Sequence, residues 1–185
     1  MIIIITGGTH TGKTTLAQSL LTSLHYSYLS QDHLKMGLIR SNQTTLTVED
    51  DDALVDYLWP ITCEIIKTAI ENKQNLIVEG CYIPFNWQNS FDATYLESIL
   101  FECLVMTEDY IKTSFETIKD EANRVEMRLD DSQLSLENMI KENHANMQAC
   151  QTNQLSMTLI QSDYEYELRQ LHDKIRGRIK DDYLD

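Results

Sequence analysis

Residues 1–15, MIIIITGGTHTGKTT, decide how this chain begins to fold. Residues 2–5 are β-branched and wholly apolar, which is typical of a strand buried on both faces of a sheet. Glycine follows at once, and three of the six glycines in the chain fall within its first twelve residues. Leu16, Ala17 and Leu20 then recur at helical spacing. The stretch therefore predicts a strand, a glycine-rich loop and a helix in immediate succession.

The loop has the pattern G-x-x-x-x-G-K-[ST], known as a P-loop, over residues 7–14. In this pattern backbone N–H groups turn inward as an anion nest, and the following helix adds the positive end of its dipole. Lys13 is expected to reach the β and γ phosphates of ATP, and Thr14 to ligate Mg²⁺. The predicted nucleotide-binding residues are consecutive: Gly8, Thr9, His10, Thr11, Gly12, Lys13, Thr14 and Thr15.

The overall charge argues against polyanionic partners. The 185 residues include 15 Lys and Arg against 29 Asp and Glu, giving a net charge of −14 that repels nucleic acid and anionic lipid. No apolar run approaches the ~20 residues that span a bilayer. We therefore expect a cytoplasmic protein without nucleic-acid or membrane partners, and a single domain over residues 1–185.

The four cysteines give no sign of a disulfide framework or a zinc site. Cys63, Cys81, Cys103 and Cys150 are widely separated and form no Cys-x-x-Cys pair. We expect small thiols that are buried or half-buried.

Apolar segments at 26–30, 75–80, 99–106 and 155–160 predict four further strands, separated by helical stripes. Strands that alternate with helices predict an α/β fold of three layers, in which helices cover both faces of a five-stranded parallel sheet. The charged segment 119–134, KDEANRVEMRLDDSQL, is expected to form a short lid.

Three helix details are also predicted. The long helix before the third strand is expected to start near a cap at Thr47 and to kink at Pro60. The last helix is expected to begin with a capping box formed by Ser162 and Glu165.

The motifs resemble those of the small P-loop kinases of the nucleoside monophosphate kinase-like family, which includes adenylate, shikimate and gluconate kinases. The matching pieces are GGTHTGKTT at 7–15, SQDHLKMGLIR at 30–40 and VEGCYIP at 78–84. Within that family, the motifs most resemble those of the 2-phosphoglycerate kinase-like or zeta-toxin-like kinases. The resemblance implies transfer of the γ-phosphoryl group of ATP, with Mg²⁺, to a small acceptor: a hydroxylated acid, a sugar, a nucleoside or a nucleotide.

The resemblance implies an acceptor side within residues 30–40. Asp32 would take the proton of an acceptor hydroxyl, and Arg40 would clamp an acceptor phosphate or carboxylate; His33 and Lys35 are further candidates. The structural alternatives are a helix cap at Asp32 and a solvated Arg40.

Glu79 ends an apolar strand, at the sheet edge where open parallel sheets bind ligands. We expect it to serve Mg²⁺ or the acceptor, or else to bond the P-loop. Tyr82 and Trp87 would wall the acceptor pocket unless they pack in the core. By resemblance to a kinase lid, Arg124 and Arg128 would close over the transferred phosphoryl group, the alternative being surface ion pairs.

Other P-loop functions fit less well. No N/T-K-x-D motif of the regulatory GTPases is present, and motor ATPases usually need a longer chain. Two alternatives stay open beside a metabolic kinase: a non-catalytic ATP-binding module and a zeta-toxin-like kinase.

Overall fold

The secondary structure follows the predicted alternation of strands and helices. A computed structural model describes residues 1–125 and 135–181 of the chain. In that part the strands are β1 (Ile2–Gly7), β2 (Ser27–Ser30), β3 (Leu76–Glu79), β4 (Ile99–Met106) and β5 (Met157–Ile160). The helices are α1 (Lys13–Leu24), α2 (Gln31–Arg40), α3 (Asp51–Glu71), α4 (Ala93–Leu96), α5 (Glu108–Val125), α6 (Leu136–Thr152) and α7 (Tyr164–Asp181), with a 3₁₀ turn at Trp87–Ser90.

The five strands form one sheet in the order β2-β3-β1-β4-β5, and every pair is parallel. In this order β1 stands at the centre, and Ile5 lies opposite Glu79 of β3 on one side and Glu102 of β4 on the other. The winding direction reverses at β1, and ligands of open parallel sheets bind at such a switch point. The parallel five-stranded sheet expected from the sequence is confirmed.

Helices cover both faces of the sheet. Ile3 and Ile5 point into one core with α1, α5 and α7, whereas Ile2 and Ile4 point into a second core with α3. All six residues of β1 are buried, which explains the unbroken apolar run because both faces of this strand lie inside the protein. Burial of each isoleucine contributes about 1.5–3 kcal/mol. The predicted three layers are confirmed.

The start of α3 differs from the expectation at Thr47. The helix begins at Asp51, and the side chain of Asp50 accepts hydrogen bonds from Thr47 N at 2.7 Å and from Thr47 Oγ1 at 2.8 Å. Thr47 thus lies in the turn before the helix, because the run of acids that follows it suits the positive helix end better. The helix continues through Pro60.

The cap of α7 lies slightly later than the predicted pair of Ser162 and Glu165. Asp163 accepts a hydrogen bond from Tyr166 N at 3.0 Å, and Glu167 accepts one from Ser162 N at 3.2 Å. The pattern of a capping side chain with a glutamate that reaches back is present, but Asp163 and Glu167 provide it.

The predicted lid falls only partly within the described residues. Its first residues continue α5, whereas residues 126–134 lie outside the described part of the chain. Ser135 then caps α6 by accepting a hydrogen bond from Asn138 N at 3.1 Å. Among the described helices none is long and apolar enough to cross a membrane.

Candidate active site

The P-loop folds around one of its own carbonyl groups. The carbonyl oxygen of Gly8 accepts hydrogen bonds from Thr11 Oγ1 at 2.8 Å and from Lys13 Nζ at 2.7 Å. Gly12 precedes α1 with φ of 91°, a conformation that glycine adopts without the penalty paid by other residues. Lys13 is only 8% exposed. Its ammonium group therefore lies inside the loop, where phosphate oxygens would replace the Gly8 carbonyl as its partner.

The two predicted magnesium residues are brought together by the sheet. Glu79, at the end of β3, is 1% exposed, and its Oε2 lies 3.4 Å from Thr14 Oγ1. Its Oε1 accepts a hydrogen bond from Tyr28 OH at 2.8 Å. Hydroxyl and carboxylate oxygens are hard ligands of the kind that Mg²⁺ takes, usually one or two from the protein with waters and phosphates beside them. Thr14 and Glu79 therefore fit a magnesium ion bound with the nucleotide.

A polar network of four side chains, Asp32, Lys35, Asp51 and Tyr82, lies at the N-terminal ends of α2 and α3. Lys35 Nζ lies 2.5 Å from Asp32 Oδ1 and donates a hydrogen bond to Tyr82 OH at 2.9 Å. Tyr82 OH in turn donates to Asp51 Oδ1 at 3.2 Å. Lys35 Nζ also lies 4.9 Å from the centre of the Tyr82 ring. The predicted residues Asp32 and Tyr82 thus belong to one connected group.

The Tyr82 hydroxyl is held as a neutral donor. Burial raises the pKa of Tyr82, and the negative charges of Asp32 and Asp51 raise it further. The neutral phenol therefore keeps its proton for the bond to Asp51 at ordinary pH.

Gln31 bonds the backbone of Tyr82, a member of this network, and was not predicted as a site residue. It is fully buried, and its Oε1 accepts a hydrogen bond from Tyr82 N at 3.1 Å. Its Nε2 lies 3.2 Å from both Tyr82 O and Thr62 Oγ1. A Cβ at Gly80 would collide with the Gln31 side chain, so glycine is needed there for close approach. Gln31 thereby fixes the segment after β3 to the start of α2.

Other predicted residues lie away from this group. Arg40 is exposed and is the last residue of α2. Because a helix rises ~1.5 Å per residue, Arg40 lies about 12 Å from Asp32 along the helix axis. Trp87 is 3% exposed and stacks on Phe101 with ring centres 5.4 Å apart, so it belongs to the core. His33 is exposed on α2.

The two lid arginines are not placed beside the loop by the structure. Arg128 and the side chain of Arg124 lie outside the described residues. Their lid role stays a prediction.

A second unpredicted contact joins α6 to the P-loop. Glu142 Oε2 accepts a hydrogen bond from Thr9 N at 3.0 Å. The next residue, Asn143, is 1% exposed and accepts one from Met106 N at 2.8 Å, at the end of β4. In the sequence both residues belong to the polar side of a helical stripe, and nothing local pairs Glu142 with a loop 133 residues earlier or Asn143 with the end of β4. A carboxylate therefore sits directly on the phosphate loop.

All four cysteines are free thiols, as their spacing predicts. Cys63, Cys103 and Cys150 are buried, whereas Cys81 is exposed. The expectation of buried or half-buried thiols is thus wrong for Cys81, because this residue follows β3 at the open edge of the sheet.

Neither a protein-family model nor a curated protein matches this chain. Solved structures do match it over most of its length. A shikimate kinase from Acinetobacter baumannii in complex with shikimate is 15% identical, with a TM-score of 0.58 over 100% of this chain and 95% of that one.

Two further structures resemble the chain over most of its length. A deoxyadenosine kinase from M. mycoides is 16% identical, with a TM-score of 0.56 over 98% of this chain and 100% of that one. A sugar kinase from Janibacter sp. is 14% identical, with a TM-score of 0.54 over 92% and 91%. The chain therefore shares the fold of these three solved structures, a three-layer α/β arrangement around a parallel sheet with the P-loop after its first strand.

Proposed function

We propose that this protein is an ATP-dependent kinase that transfers the γ-phosphoryl group to a hydroxyl of a small molecule. The observation that carries the proposal is the 3.4 Å approach of Glu79 to Thr14, beside the buried Lys13. It joins a phosphate loop and a carboxylate at one edge of the sheet, and Asp32 follows the neighbouring strand β2 at the same edge. The fold shared with solved small-molecule kinases supports the proposal.

On the phosphate side, the amides of residues 8–15 and the Lys13 ammonium would hold the triphosphate. Thr14 and Glu79 would hold Mg²⁺, which when bound supplies positive charge to the β and γ phosphates. Lys13 would exchange its 2.7 Å bond to the Gly8 carbonyl for phosphate oxygens. Little covalent chemistry is required of the protein, because phosphoryl transfer depends mainly on positioning and charge.

On the acceptor side, Asp32 would accept a hydrogen bond from the reacting hydroxyl and take its proton. The acceptor oxygen forms a bond to the γ phosphorus while the bond to the β–γ bridging oxygen breaks, leaving ADP. Lys35, 2.5 Å from Asp32, holds that carboxylate in place. Asp32 is the group we propose as the base.

The lid completes the proposal. Arg124 and Arg128 would cover the transferred phosphoryl group and exclude water, which would suppress wasteful ATP hydrolysis. A cytoplasmic location belongs to the same proposal.

Turnover of ATP and Mg²⁺ against a mixed library of sugars, hydroxylated acids, nucleosides and nucleotides tests this function. A phosphate mass shift on a library member is expected with the parent protein, and its loss with Lys13→Ala. Lys112→Ala, at a side chain 52% exposed on α5, is the matched control and should keep activity.

Tight ATP binding without any transfer would contradict the kinase function and favour a non-catalytic nucleotide-binding module. Growth arrest on expression of the active protein, absent with Lys13→Ala, would instead indicate a zeta-toxin-like kinase.

A further inference from the structure

Side chains of opposite charge act on Cys81, which follows Gly80 after the end of β3. Cys81 follows β3 and is open to solvent, although enough protein surrounds it for burial to raise the pKa of its thiol. The charges that act on this thiol belong to Lys13 and to the charged members of the polar network, Asp32, Lys35 and Asp51. Cys81 is therefore within electrostatic reach of both the P-loop lysine and that network.

Two helices begin at the network, and both begin with acids. Asp32 lies in the first turn of α2, and Asp51 and Asp52 lie in the first turn of α3. A free helix N-terminus attracts anions. Here the chain itself supplies the negative charge at both helix ends. A carboxylate or phosphate on the acceptor would meet these side chains instead of unoccupied amides.

Lys35 is the cation of the network, and its bonds are already made. It lies 2.5 Å from Asp32 and 2.9 Å from the Tyr82 hydroxyl, and its side chain is only 12% exposed. An anionic acceptor would have to compete with Asp32 for this ammonium group.

Arginine is the side chain best suited to bind carboxylates and phosphates, because it forms two parallel hydrogen bonds. Where the structure describes arginine side chains, they lie away from the network. Arg40 is exposed at the far end of α2. The others are exposed on α7, which packs against α1 and β5 across the sheet from α3: Arg169, Arg176 and Arg178.

We propose that the acceptor is a hydroxylated molecule without negative charge, either a neutral polyol such as a sugar or nucleoside, or one that bears an amine. The inference rests on the proposed kinase function and narrows its substrate class. Asp32 and Asp51 against Lys35 give the network a net charge of 1 − 2 = −1. Carboxylates accept hydrogen bonds from hydroxyls and pair with ammonium groups, whereas they repel anions.

Two series of acceptors that share a skeleton and differ in charge test the inference. The first compares glucose and glucosamine with gluconate and glucose 6-phosphate, and the second compares adenosine with AMP. With ATP and Mg²⁺, kcat/KM is expected to be about tenfold or more higher for the neutral or aminated members, the effect of a like charge a few ångströms away. Preference for the anionic member in either series would overturn the inference.

A matched pair of variants tests whether the network causes the preference. Asp51→Asn keeps an oxygen that accepts a hydrogen bond from Tyr82 OH but removes the negative charge. It should narrow the gap in kcat/KM between neutral and anionic acceptors by about three- to tenfold. Asp56→Asn makes the same change at an exposed position farther along α3 and should leave the gap as in the parent. An unchanged gap with Asp51→Asn would overturn the assignment to this network.

Equilibrium binding separates this inference from the kinase function itself. The same panel is titrated by calorimetry against the protein in the presence of ADP and Mg²⁺. If no acceptor is phosphorylated, the kinase function fails, yet preferential binding of neutral or aminated members still supports the charge preference. Preferential binding of anions, or no binding of any member, overturns it.

Discussion

The P-loop takes its phosphate-side groups from residues 7–15, whereas the polar network contains a direct bond between side chains 47 residues apart in the sequence, that of Lys35 to Tyr82. In the loop, short-range bonds such as that from Lys13 to the Gly8 carbonyl fix the geometry. In the network, the bonds of Tyr82 to Lys35 and Asp51 exist only because the sheet brings their segments together. A motif therefore reveals the phosphate side, while the acceptor side depends on the assembled fold.

Asp32→Asn should separate the two sides most clearly. We expect kcat to fall by about 10²–10⁴, because the base that takes the acceptor proton is lost. The affinity for ATP should stay unchanged, since the P-loop is untouched. Steady-state kinetics and nucleotide titration measure the two quantities. Asp52→Asn, an exposed acid in the first turn of α3, is the control. Weakened ATP binding in Asp32→Asn would show that the two sides are not separable.

Glu79→Gln should affect both sides, because this residue lies between them. The amide retains an oxygen for the Tyr28 hydroxyl but removes the charge beside Thr14. We expect kcat to fall by roughly 10- to 100-fold, the equivalent of a lost charged hydrogen bond, and the half-saturating Mg²⁺ concentration to rise. Magnesium titrations of the rate test this, with exposed Glu97→Gln as control. An unaltered Mg²⁺ dependence would argue against Glu79 as a metal residue.

Gln31→Ala should weaken the acceptor side through its scaffold. The Tyr82 N–H and the Thr62 hydroxyl would lose a buried partner, so the free energy of unfolding should fall by about 1–3 kcal/mol. Denaturant melts measure this change. Gln18→Ala, at an exposed position of α1, should stay within about 0.5 kcal/mol of the parent. Equal stability of both variants would contradict the supporting role of Gln31.

Glu142→Gln should produce the smallest effect, confined to the phosphate side. The amide oxygen still accepts from Thr9 N, but the negative charge beside the loop is gone. We expect ATP to bind about two- to fivefold tighter, as removal of one nearby like charge predicts. Nucleotide titration compares it with Glu137→Gln, an exposed acid in the first turn of α6. Weaker binding would mean that the charge of Glu142 holds the loop in its binding shape.

The fold was predictable because its signals are local and repeated. Five strands, the P-loop and the alternation with helices each appear in short stretches of sequence. The caps of α3 and α7 were misplaced by a few residues, because runs of Asp, Ser and Glu offer several equivalent capping side chains.

The site was predictable only in part. The sequence puts Thr14 in the loop after β1 and Glu79 at the end of β3, and the sheet brings the two side chains to 3.4 Å; their role in binding Mg²⁺ stays a prediction. Arg40 was expected near the acceptor, but the length of α2 carries it about 12 Å along the axis from Asp32. Gln31, Tyr28 and Glu142 were missed because each acts through a partner 51 or more residues away.

By itself the sequence determined a parallel α/β sheet with a phosphate loop after its first strand, because hydrophobic period and glycine spacing are properties of short segments. Only the tertiary structure decided which side chains face the loop. The order β2-β3-β1 sets Glu79 beside Thr14 and the start of α2 beside the segment after β3, and the packing of α3 adds Asp51 to the network. The charge of the acceptor side is thus a property of the assembled fold, since it depends on contacts between segments far apart in the chain.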